Sequence, residues 1–206
     1  FLGLLHKEKL VISLILSQQK AVISLLQRII ICFLTDAPIF ISINKMTFKT
    51  ADLYDEYGDD LKVASPIFRD YGGKKIFHGP ISTVKAFEDN TLVRTALEEP
   101  GNGRVLIIDG DESLRCAMVG DMLAKLGMEN GWLGIIVFGC IRDAEDIATI
   151  NIGVKALNTN PRKSLKQGLG ERDIPVSFAG VTFNVGEYVY ADADGVIVSE
   201  KKINFS

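Results

Sequence analysis

Two short apolar runs place the strongest limit on what this chain can fold into. One spans residues 104–110, and the other spans residues 134–138 and is followed by Gly139. Apolar runs of this length, bounded by glycine, are typical of strands that are buried on both faces of a parallel sheet. Between them, residues 113–126 carry apolar side chains at helical spacing, which predicts a connecting helix. The pattern therefore predicts an α/β fold.

Further segments continue this alternation of strands and helices. Helices are predicted at Thr50–Tyr57 (with Thr50 as N-cap), 90–98 and 143–150. Strands are predicted at 81–86, 154–158, Val176–Phe178, Val181–Phe183, 187–191 and Val196–Ser199. Residues 159–172 are rich in Lys and Gly and are predicted to form a mobile loop. This order of elements predicts one α/β domain over residues 46–206, with a parallel or mixed sheet, helices on its faces and a β-rich flank.

Composition excludes several classes of function. The 206 residues carry a formal net charge of −3, so the chain has no basic surface typical of nucleic-acid binding and no polybasic membrane patch. Its three cysteines, Cys32, Cys116 and Cys140, lack the spacing of a zinc site or of a disulfide framework. A reducing compartment is therefore expected, and we predict a cytoplasmic protein without nucleic-acid partners and without a membrane segment in residues 46–206.

The first 45 residues differ from the rest of the chain. Their apolar runs are interrupted by polar residues such as Gln18 and Arg28, and none reaches the roughly 18–20 apolar residues of a membrane span. The chain does not begin with Met, whereas Met46-Thr47-Phe48 is typical of a natural start. Residues 1–45 are thus interpreted as a fragment, a mistranslated upstream region or a targeting or membrane-associating segment, and organelle targeting stays open.

Asp121 and the pair Arg142-Asp143, separated by twenty residues, are the most suggestive polar residues. The pair follows a predicted buried strand, and residues in this position line the ligand crevices of α/β sheets. Carboxylates suit Mg²⁺ or Mn²⁺, and an arginine suits a substrate carboxylate or a developing enolate oxygen. The backbone N–H groups of residues 120–123 are suited to cradle a carboxylate. The alternative is that Arg142 and Asp143 form a helix-capping salt bridge beside a solvated Asp121.

A longer resemblance surrounds these residues. From Thr50 to about Lys202, roughly three quarters of the chain, the sequence is similar to the family that contains class II 4-hydroxy-4-methyl-2-oxoglutarate aldolases and the regulator of ribonuclease E activity. The resemblance is carried by residues 66–68, 79–85, 87–90, 101–110, 113–117, 120–121, 130–132, 139–143, 190–192 and 194–195.

The resemblance implies a fold, an assembly and roles for individual residues. It implies a swivelling β/β/α domain that assembles as a homotrimer, with active sites between subunits. Asp143 would bind the divalent metal (Mg²⁺ or Mn²⁺), and Asp121 and Arg142 would be catalytic. The substrate, a small 2-oxo acid, would be bound by Arg142 and by a pocket that four consecutive residues line, Gly120, Asp121, Met122 and Leu123.

The implied reaction is metal-dependent retro-aldol cleavage of 4-hydroxy-4-methyl-2-oxoglutarate to two pyruvates, with secondary oxaloacetate decarboxylation. A water positioned by Asp121 would take the C4 hydroxyl proton. The alternatives are a non-enzymatic inhibitor of an RNA-processing ribonuclease, which need not keep the Arg-Asp pair, and an enzyme that acts on another 2-oxo acid. The family's neighbouring-subunit acid has only weak candidates here, Glu187 and Glu200.

Several other residues are interpreted as structural. Where many relatives have a glycine run, this chain has Asp111 and Glu112, which are expected to be solvated. His78 is expected to pack rather than bind a metal, Trp132 to lie in the core or a trimer interface, and Cys116 and Cys140 to be buried. Residues 192–195 are expected to form a hairpin turn rather than a calcium loop.

Overall fold

The computed structural model describes residues 48–204, so the predictions for residues 1–45 lie outside the described residues. Its helices are α1 Thr50–Tyr57, α2 Thr91–Glu98, α3 Asp121–Glu129 and α4 Ala144–Ile147, and a 3₁₀ turn covers Gly58–Asp60. The strands are β1 Leu61–Val63, β2 Arg69–Asp70, β3 Phe77–Lys85, β4 Val105–Asp109, β5 Ala117–Val119, β6 Gly134–Ile141, β7 Gly153–Thr159, β8 Glu171–Arg172, β9 Val176–Phe178, β10 Val181–Phe183, β11 Tyr188–Ala191 and β12 Val196–Ser199. No helix in this part of the chain is long and apolar enough to cross a membrane.

Ten of the strands form one mixed sheet in the order β1-β12-β11-β3-β4-β6-β7-β2. Strands β3, β4, β6 and β7 are parallel neighbours, β5 adds to β6 in parallel, and β8 adds to β3 in antiparallel. Strands β1, β11 and β12 pair in antiparallel, while β9 and β10 form a separate hairpin. The predicted α/β class, with a mixed sheet, flanking helices and a β-rich flank, is confirmed.

The central parallel strands are buried on both faces, as their continuous apolar composition predicts. Because side chains alternate along a strand, Leu106 and Ile108 of β4 pack on the face that also holds residues of α2 and α3. Val105 and Ile107 of the same strand pack on the opposite face, with residues of the β9–β10 hairpin and of β11 and β12. Each such side chain contributes about 1.5–3 kcal/mol of burial free energy. Packing on both faces holds β4 and β6 in place, and with them the residues that follow these strands.

The predicted helix over residues 113–126 is wrong in its first half. Ala117, Met118 and Val119 form strand β5, and the helix begins only at Asp121. The helical interpretation counted Leu114 as facing the core, yet its side chain is 51% exposed. Three consecutive buried residues are typical of a strand that is covered on both faces, whereas a helix with one apolar face would bury only some of them. Strand β5 forms its backbone hydrogen bonds with β6, which is distant in the sequence. Tertiary pairing thus overrides the local periodicity.

The start of α1 also differs from the prediction. Lys49 rather than Thr50 is the N-cap, and Thr50 is the first helical residue. The Thr50 backbone N–H and hydroxyl donate to the Asp192 carboxylate at 2.6 and 2.7 Å. Asp192 also accepts from the N–H groups of Asp194 and Gly195 in the turn between β11 and β12. The predicted hairpin turn is confirmed, and its first residue holds the amino end of a helix 142 residues away in sequence.

The residues interpreted as structural are held by packing. The His78 ring stacks on Tyr190 at 5.4 Å, and burial lowers the pKa of its imidazole. Trp132 is buried in the core, where its indole N–H donates to the Glu99 carbonyl. Cys116 and Cys140 are buried free thiols whose pKa is raised by burial, so neither is activated as a nucleophile.

Candidate active site

The carboxyl ends of β5 and β6 lie side by side and bring distant residues together. Val119 and Ile141 are register partners, and the Arg142 N–H donates to the Val119 carbonyl at 3.0 Å. The residue after β5 is Gly120, and the residues after β6 are Arg142 and Asp143. The parallel pairing of β5 with β6 therefore brings Gly120 close to Arg142 and Asp143, although about twenty residues separate them in the sequence.

Asp143 occupies an unusual backbone conformation for a residue other than glycine. Its φ of 57° and ψ of 42° lie in the left-handed region, just before α4. Asp and Asn are the non-glycine residues that adopt this region most readily, so the conformation is uncommon but suits the residue. Asp143 is one of seven non-glycine residues with positive φ in residues 48–204, and the case for Asp143 therefore rests on the contacts of its carboxylate.

The Asp143 carboxylate is close to Arg142 but is not satisfied by it. Its Oδ2 lies 3.2 Å from Arg142 Nε, yet this buried oxygen has no hydrogen-bond partner within residues 48–204 because the guanidinium N–H does not point at it. No side chain caps α4 either. The alternative interpretation was a helix-capping salt bridge between Arg142 and Asp143. The ion pair is present, but neither side chain caps the helix. An unpartnered buried oxygen is costly unless a ligand completes it.

Gly120 leaves the space in which this carboxylate sits. A Cβ added to Gly120 would lie 2.7 Å from Asp143 Oδ2 and 3.2 Å from Arg142 Nε. Its φ of −126° is accessible to any residue, so the glycine is needed for space and not for backbone conformation.

Helix α3 begins at this same point and offers backbone donors. Gly120 is its N-cap, and no side chain caps this end. The Leu123 N–H already donates to the Gly120 carbonyl at 3.1 Å, so it is not free for a ligand. Asp121 and Met122 occupy the first two helical positions, whose N–H groups have no acceptor within the helix. The backbone N–H groups that could bind a carboxylate therefore do not extend over all of residues 120–123, because that of Leu123 is already used.

A cleft of about 180 Å³ opens at this edge of the sheet. All four predicted pocket residues, 120–123, line it together with Arg142. The remaining lining residues come from elsewhere in the chain and are Asn90, Arg94, Ala117, Lys163, Ser164 and Lys166. A larger groove of about 580 Å³, between α1, β1 and residues 199–204, shares no residue with this cleft.

The cationic residues of the cleft were not identified from the sequence. The sequence showed residues 159–172 only as a Lys- and Gly-rich loop, and Arg94 only as part of a helix. The structure confirms an irregular segment over most of that range, although it ends in β8. The only feature of the sequence that could have indicated these cationic residues was the group of lysines in this segment of a chain whose net charge is negative.

The site fits a hard divalent cation. No group of three or more His, Cys, Asp or Glu side chains in residues 48–204 could hold a metal by itself. A single carboxylate is enough for Mg²⁺, which takes one or two protein carboxylates and keeps several waters. Asp143 Oδ2, buried and lacking a hydrogen bond, is the oxygen available for this purpose. Asp121 lines the cleft, whereas Asp143 is not one of its lining residues and lies next to Gly120, which is.

Comparison with known proteins assigns the chain to a family. The family model described as RraA-like, Aldolase/RraA, matches residues 47–198. The chain belongs to the RraA-like family. A relative from Alkalilimnicola ehrlichii, named "Putative 4-hydroxy-4-methyl-2-oxoglutarate aldolase", is 55% identical over 77% of this chain and 98% of its own length.

Two solved structures of RraA-like proteins show the same fold. The protein from Geobacillus kaustophilus named as an S-adenosylmethionine:2-dimethylmenaquinone methyltransferase is 51% identical, with a TM-score of 0.75 over 76% of this chain and 97% of that one. The RNA-processing inhibitor RraA from Thermus thermophilis is 40% identical, with a TM-score of 0.74 over 77% of this chain and 96% of that one. Because RraA-like proteins this similar carry different functional names, the site rather than the fold must decide the activity.

Three acidic residues, Asp111, Glu112 and Glu187, are not among the lining residues of the cleft. Asp111 and Glu112 both have positive φ, of 54° and 58°, a conformation that glycine adopts most easily, and both side chains are exposed as predicted. Glu187 accepts hydrogen bonds from Lys62 at 3.1 Å and Asn184 at 2.9 Å. Its carboxylate is thus already engaged within its own subunit.

The lysine-bearing segment beside the cleft is held by one buried carboxylate. Asp89 is 1% exposed and accepts backbone N–H groups of Thr91 at 2.8 Å, Gln167 at 2.5 Å and Leu169 at 3.4 Å. Burial by itself raises the pKa of the Asp89 carboxyl, but these hydrogen bonds outweigh burial and hold the pKa at about 2. Asp89 therefore ties residues 167–169 to the start of α2.

We expect Asp89→Asn to lower the free energy of unfolding by about 1–2 kcal/mol at pH 7. The folded-state pKa of about 2 lies below the ordinary value of 3.8, so the stabilisation is complete above about pH 4 and is lost as the pH falls towards 2. Urea unfolding at pH 7 and pH 3 should show a smaller difference between variant and wild type at pH 3. The exposed Asp55→Asn is the control; an equal difference at both pH values would contradict this role of Asp89.

Proposed function

We propose that this chain catalyses the divalent-metal-dependent retro-aldol cleavage of 4-hydroxy-4-methyl-2-oxoglutarate to two pyruvates. The observation that carries the proposal is the buried Asp143 Oδ2, which lacks a hydrogen bond and lies beside Arg142 and the side-chain-free Gly120. The aldolase name of the 55% identical relative supports the same activity. A divalent cation held by Asp143 would supply Lewis-acid polarisation of the 2-oxo carbonyl.

Arg142 and the start of α3 bind and orient the 2-oxo acid end of the substrate. The Arg142 side chain is 29% exposed at the cleft, so its guanidinium can donate to the C2 oxygen, where negative charge grows as the enolate forms. The N–H groups of Asp121 and Met122 would donate to the C1 carboxylate. The two backbone donors belong to the first turn of a formed helix, which lowers the cost of reorganisation when the substrate binds.

The Asp121 carboxylate positions the water that accepts the proton of the C4 hydroxyl group in the proposed reaction. The C3–C4 bond then breaks, its electron pair forms the enolate of one pyruvate, and C4 becomes the carbonyl carbon of the other. Protonation of the enolate at C3 completes the balance. Loss of CO₂ from oxaloacetate leads to the same enolate, so secondary decarboxylation is part of the proposal.

The proposal also includes the assembly and the compartment. We infer a homotrimer in which a neighbouring subunit contributes an acid, with Glu200 the remaining candidate of the two because Glu187 is engaged. The free thiols of Cys116 and Cys140 favour the reducing environment of the cytoplasm.

A pyruvate-release assay on the purified full chain tests the proposal. We expect release from 4-hydroxy-4-methyl-2-oxoglutarate, and more slowly from oxaloacetate, with Mg²⁺ or Mn²⁺ present, and at least a hundredfold less with a chelator. Restoring the metal in excess over the chelator should restore the rate. Unchanged release in the chelator would contradict the metal mechanism. No metal-dependent release from either substrate would instead favour a binding function such as that of the RNA-processing inhibitor from Thermus thermophilis.

A further inference from the structure

Met122 has the most exposed sulfur-containing side chain in the described part of the chain. Its exposed fraction is 67%, whereas that of Met118 is 2%. Met128 lies on the same helix as Met122, but its side chain packs against the core. Because oxidants dissolved in water react with the sulfur atoms that they can reach, Met122 is the thioether in residues 48–204 that they meet first.

The two cysteines within residues 48–204 are poorly suited to react before Met122. Cys116 and Cys140 are both buried. Burial raises the pKa of both thiols, so little of the reactive thiolate forms at neutral pH. The first oxidation in this part of the chain is therefore expected at a thioether and not at a thiol.

The position of Met122 connects this chemistry to the candidate active site. Met122 lines the cleft together with Asp121 and Arg142. It is also the second residue of α3, the helix end whose backbone N–H groups would donate to the C1 carboxylate of a 2-oxo acid. An oxygen atom that is added to the sulfur of Met122 is therefore added at the cleft.

Oxidation by hydrogen peroxide changes what the Met122 side chain can bind. A lone pair of the sulfur forms the new S–O bond while the O–O bond breaks, and the second oxygen leaves as water after it takes up the proton of the first. The sulfur is oxidised by two electrons and the peroxide is reduced, so no further reactant is needed. The sulfoxide oxygen is a strong hydrogen-bond acceptor, whereas a thioether sulfur is a weak one.

The cleft contains donors that would bind this new acceptor. Besides Arg142, it is lined by Arg94, Lys163 and Lys166, whereas Asp121 is its one carboxylate lining residue. A sulfoxide oxygen that accepts from any of these cations takes up a donor beside the bound 2-oxo acid. Its partial negative charge also opposes the negative charge of the 2-oxo acid, so oxidised Met122 weakens binding for two electrostatic reasons.

We propose that Met122 is an oxidation site through which peroxide lowers the affinity of the cleft for 2-oxo acids. The effect on turnover rests on the proposed function, whereas the oxidation itself depends on the exposure of Met122. The change is reversible, because methionine sulfoxide reductases restore the thioether. The chain thereby responds to an oxidant through Met122, without a reaction of Cys116 or Cys140.

The first test is the order in which the methionines are oxidised. Trypsin releases Met118 and Met122 in one peptide, residues 116–125, and Met128 in the next, residues 126–142. The folded full chain is exposed to hydrogen peroxide for timed intervals with Mg²⁺ present, and tandem mass spectrometry gives the sulfoxide fraction at each methionine. We expect Met122 to be oxidised at least about tenfold faster than Met118 and Met128. Oxidation of Met122 that is no faster than that of Met128 overturns the inference, and this result would follow if a neighbouring subunit covered Met122.

The second test measures the effect of the oxidation on the cleft. Calorimetric titration with pyruvate and Mg²⁺ should show about tenfold weaker binding after oxidation of Met122, and pyruvate release should slow by a similar factor. Met122→Leu keeps an apolar side chain of similar size without the sulfur, so peroxide should leave this variant within about twofold of its own untreated affinity and rate. Met128→Leu is the matched control on the same helix and should remain as sensitive to peroxide as the wild type.

The outcomes separate this inference from the proposed function. Incubation of the oxidised wild type with methionine sulfoxide reductases should restore its affinity for pyruvate. Equal losses in the wild type and in Met122→Leu overturn the inference, and so does unchanged pyruvate binding in a wild type that is fully oxidised at Met122. Neither result affects the retro-aldol proposal, which is judged by metal-dependent pyruvate release from untreated protein. Conversely, selective oxidation of Met122 that weakens pyruvate binding supports the inference even in a protein that has no aldolase activity.

Discussion

Asp143→Asn is expected to lower metal-dependent pyruvate release by about 10³-fold while leaving the fold intact. Asn is nearly the same size as Asp and is one of the few residues that readily adopt left-handed backbone geometry, which Asp143 has at a φ of 57°. The substitution therefore removes the negative charge without disturbing the backbone between β6 and α4. A neutral amide oxygen is a much weaker ligand for a hard divalent cation than a carboxylate.

Two measurements check this expectation. Steady-state rates of pyruvate release should fall, and calorimetric titration with Mn²⁺ should show weaker binding in the variant, with an unchanged circular dichroism spectrum. Asp146→Asn is the matched control, because Asp146 is exposed on α4 three residues further along. We expect its rate to stay within about twofold of the wild type, as for surface substitutions elsewhere. An active Asp143→Asn protein would exclude Asp143 as the metal ligand.

Gly120→Ala is expected to reduce the rate of pyruvate release by about a hundredfold through one added methyl group. The new Cβ would lie 2.7 Å from Asp143 Oδ2, which is closer than van der Waals contact allows, and 3.2 Å from Arg142 Nε. One or both side chains must move away. Because the backbone at Gly120 has an extended φ of −126°, alanine introduces no conformational strain, and the loss should be confined to the site.

Gly195→Ala is the control for the loss of a glycine as such. A Cβ at Gly195 meets no atom within 4 Å, so this variant should keep wild-type activity. Thermal unfolding of both variants separates a local effect from a global one. We expect Gly120→Ala to unfold within a few degrees of the wild type. Full activity in Gly120→Ala would show that the space between β5 and β6 is not used by the reaction.

The parallel core could be predicted because its signal is local. The apolar runs ending near Gly110 and Gly139 are buried on both faces as β4 and β6, and each prediction was correct to within a few residues. The error over residues 113–126 arose because the apolar positions there also fit helical spacing. What decides for a strand is pairing of Ala117 with Cys140, a contact that no local pattern contains.

The candidate site could be predicted in part. The residue types at Asp121, Arg142 and Asp143 indicated carboxylate and metal chemistry, and the structure places Gly120, Asp121 and Arg142 on one cleft, with Asp143 Oδ2 directly behind Gly120. The unpartnered state of Asp143 Oδ2 could not be predicted, since it depends on the orientation of the neighbouring guanidinium. The roles that we assign to these residues remain predictions for the experiments above.

By itself, the sequence determined the class of fold, because hydrophobic periodicity is a property of residues that are close in the chain. It also determined the chemical character of Asp121, Arg142 and Asp143, because this follows from the side-chain types. Only the tertiary structure decided which other side chains line the cleft beside Asp121 and Arg142. Arg94, Lys163, Ser164 and Lys166 reach the cleft from two segments about 70 residues apart, tied together where the N–H groups of Gln167 and Leu169 bind Asp89. Charges brought together by long-range backbone contacts leave no periodic trace in a sequence.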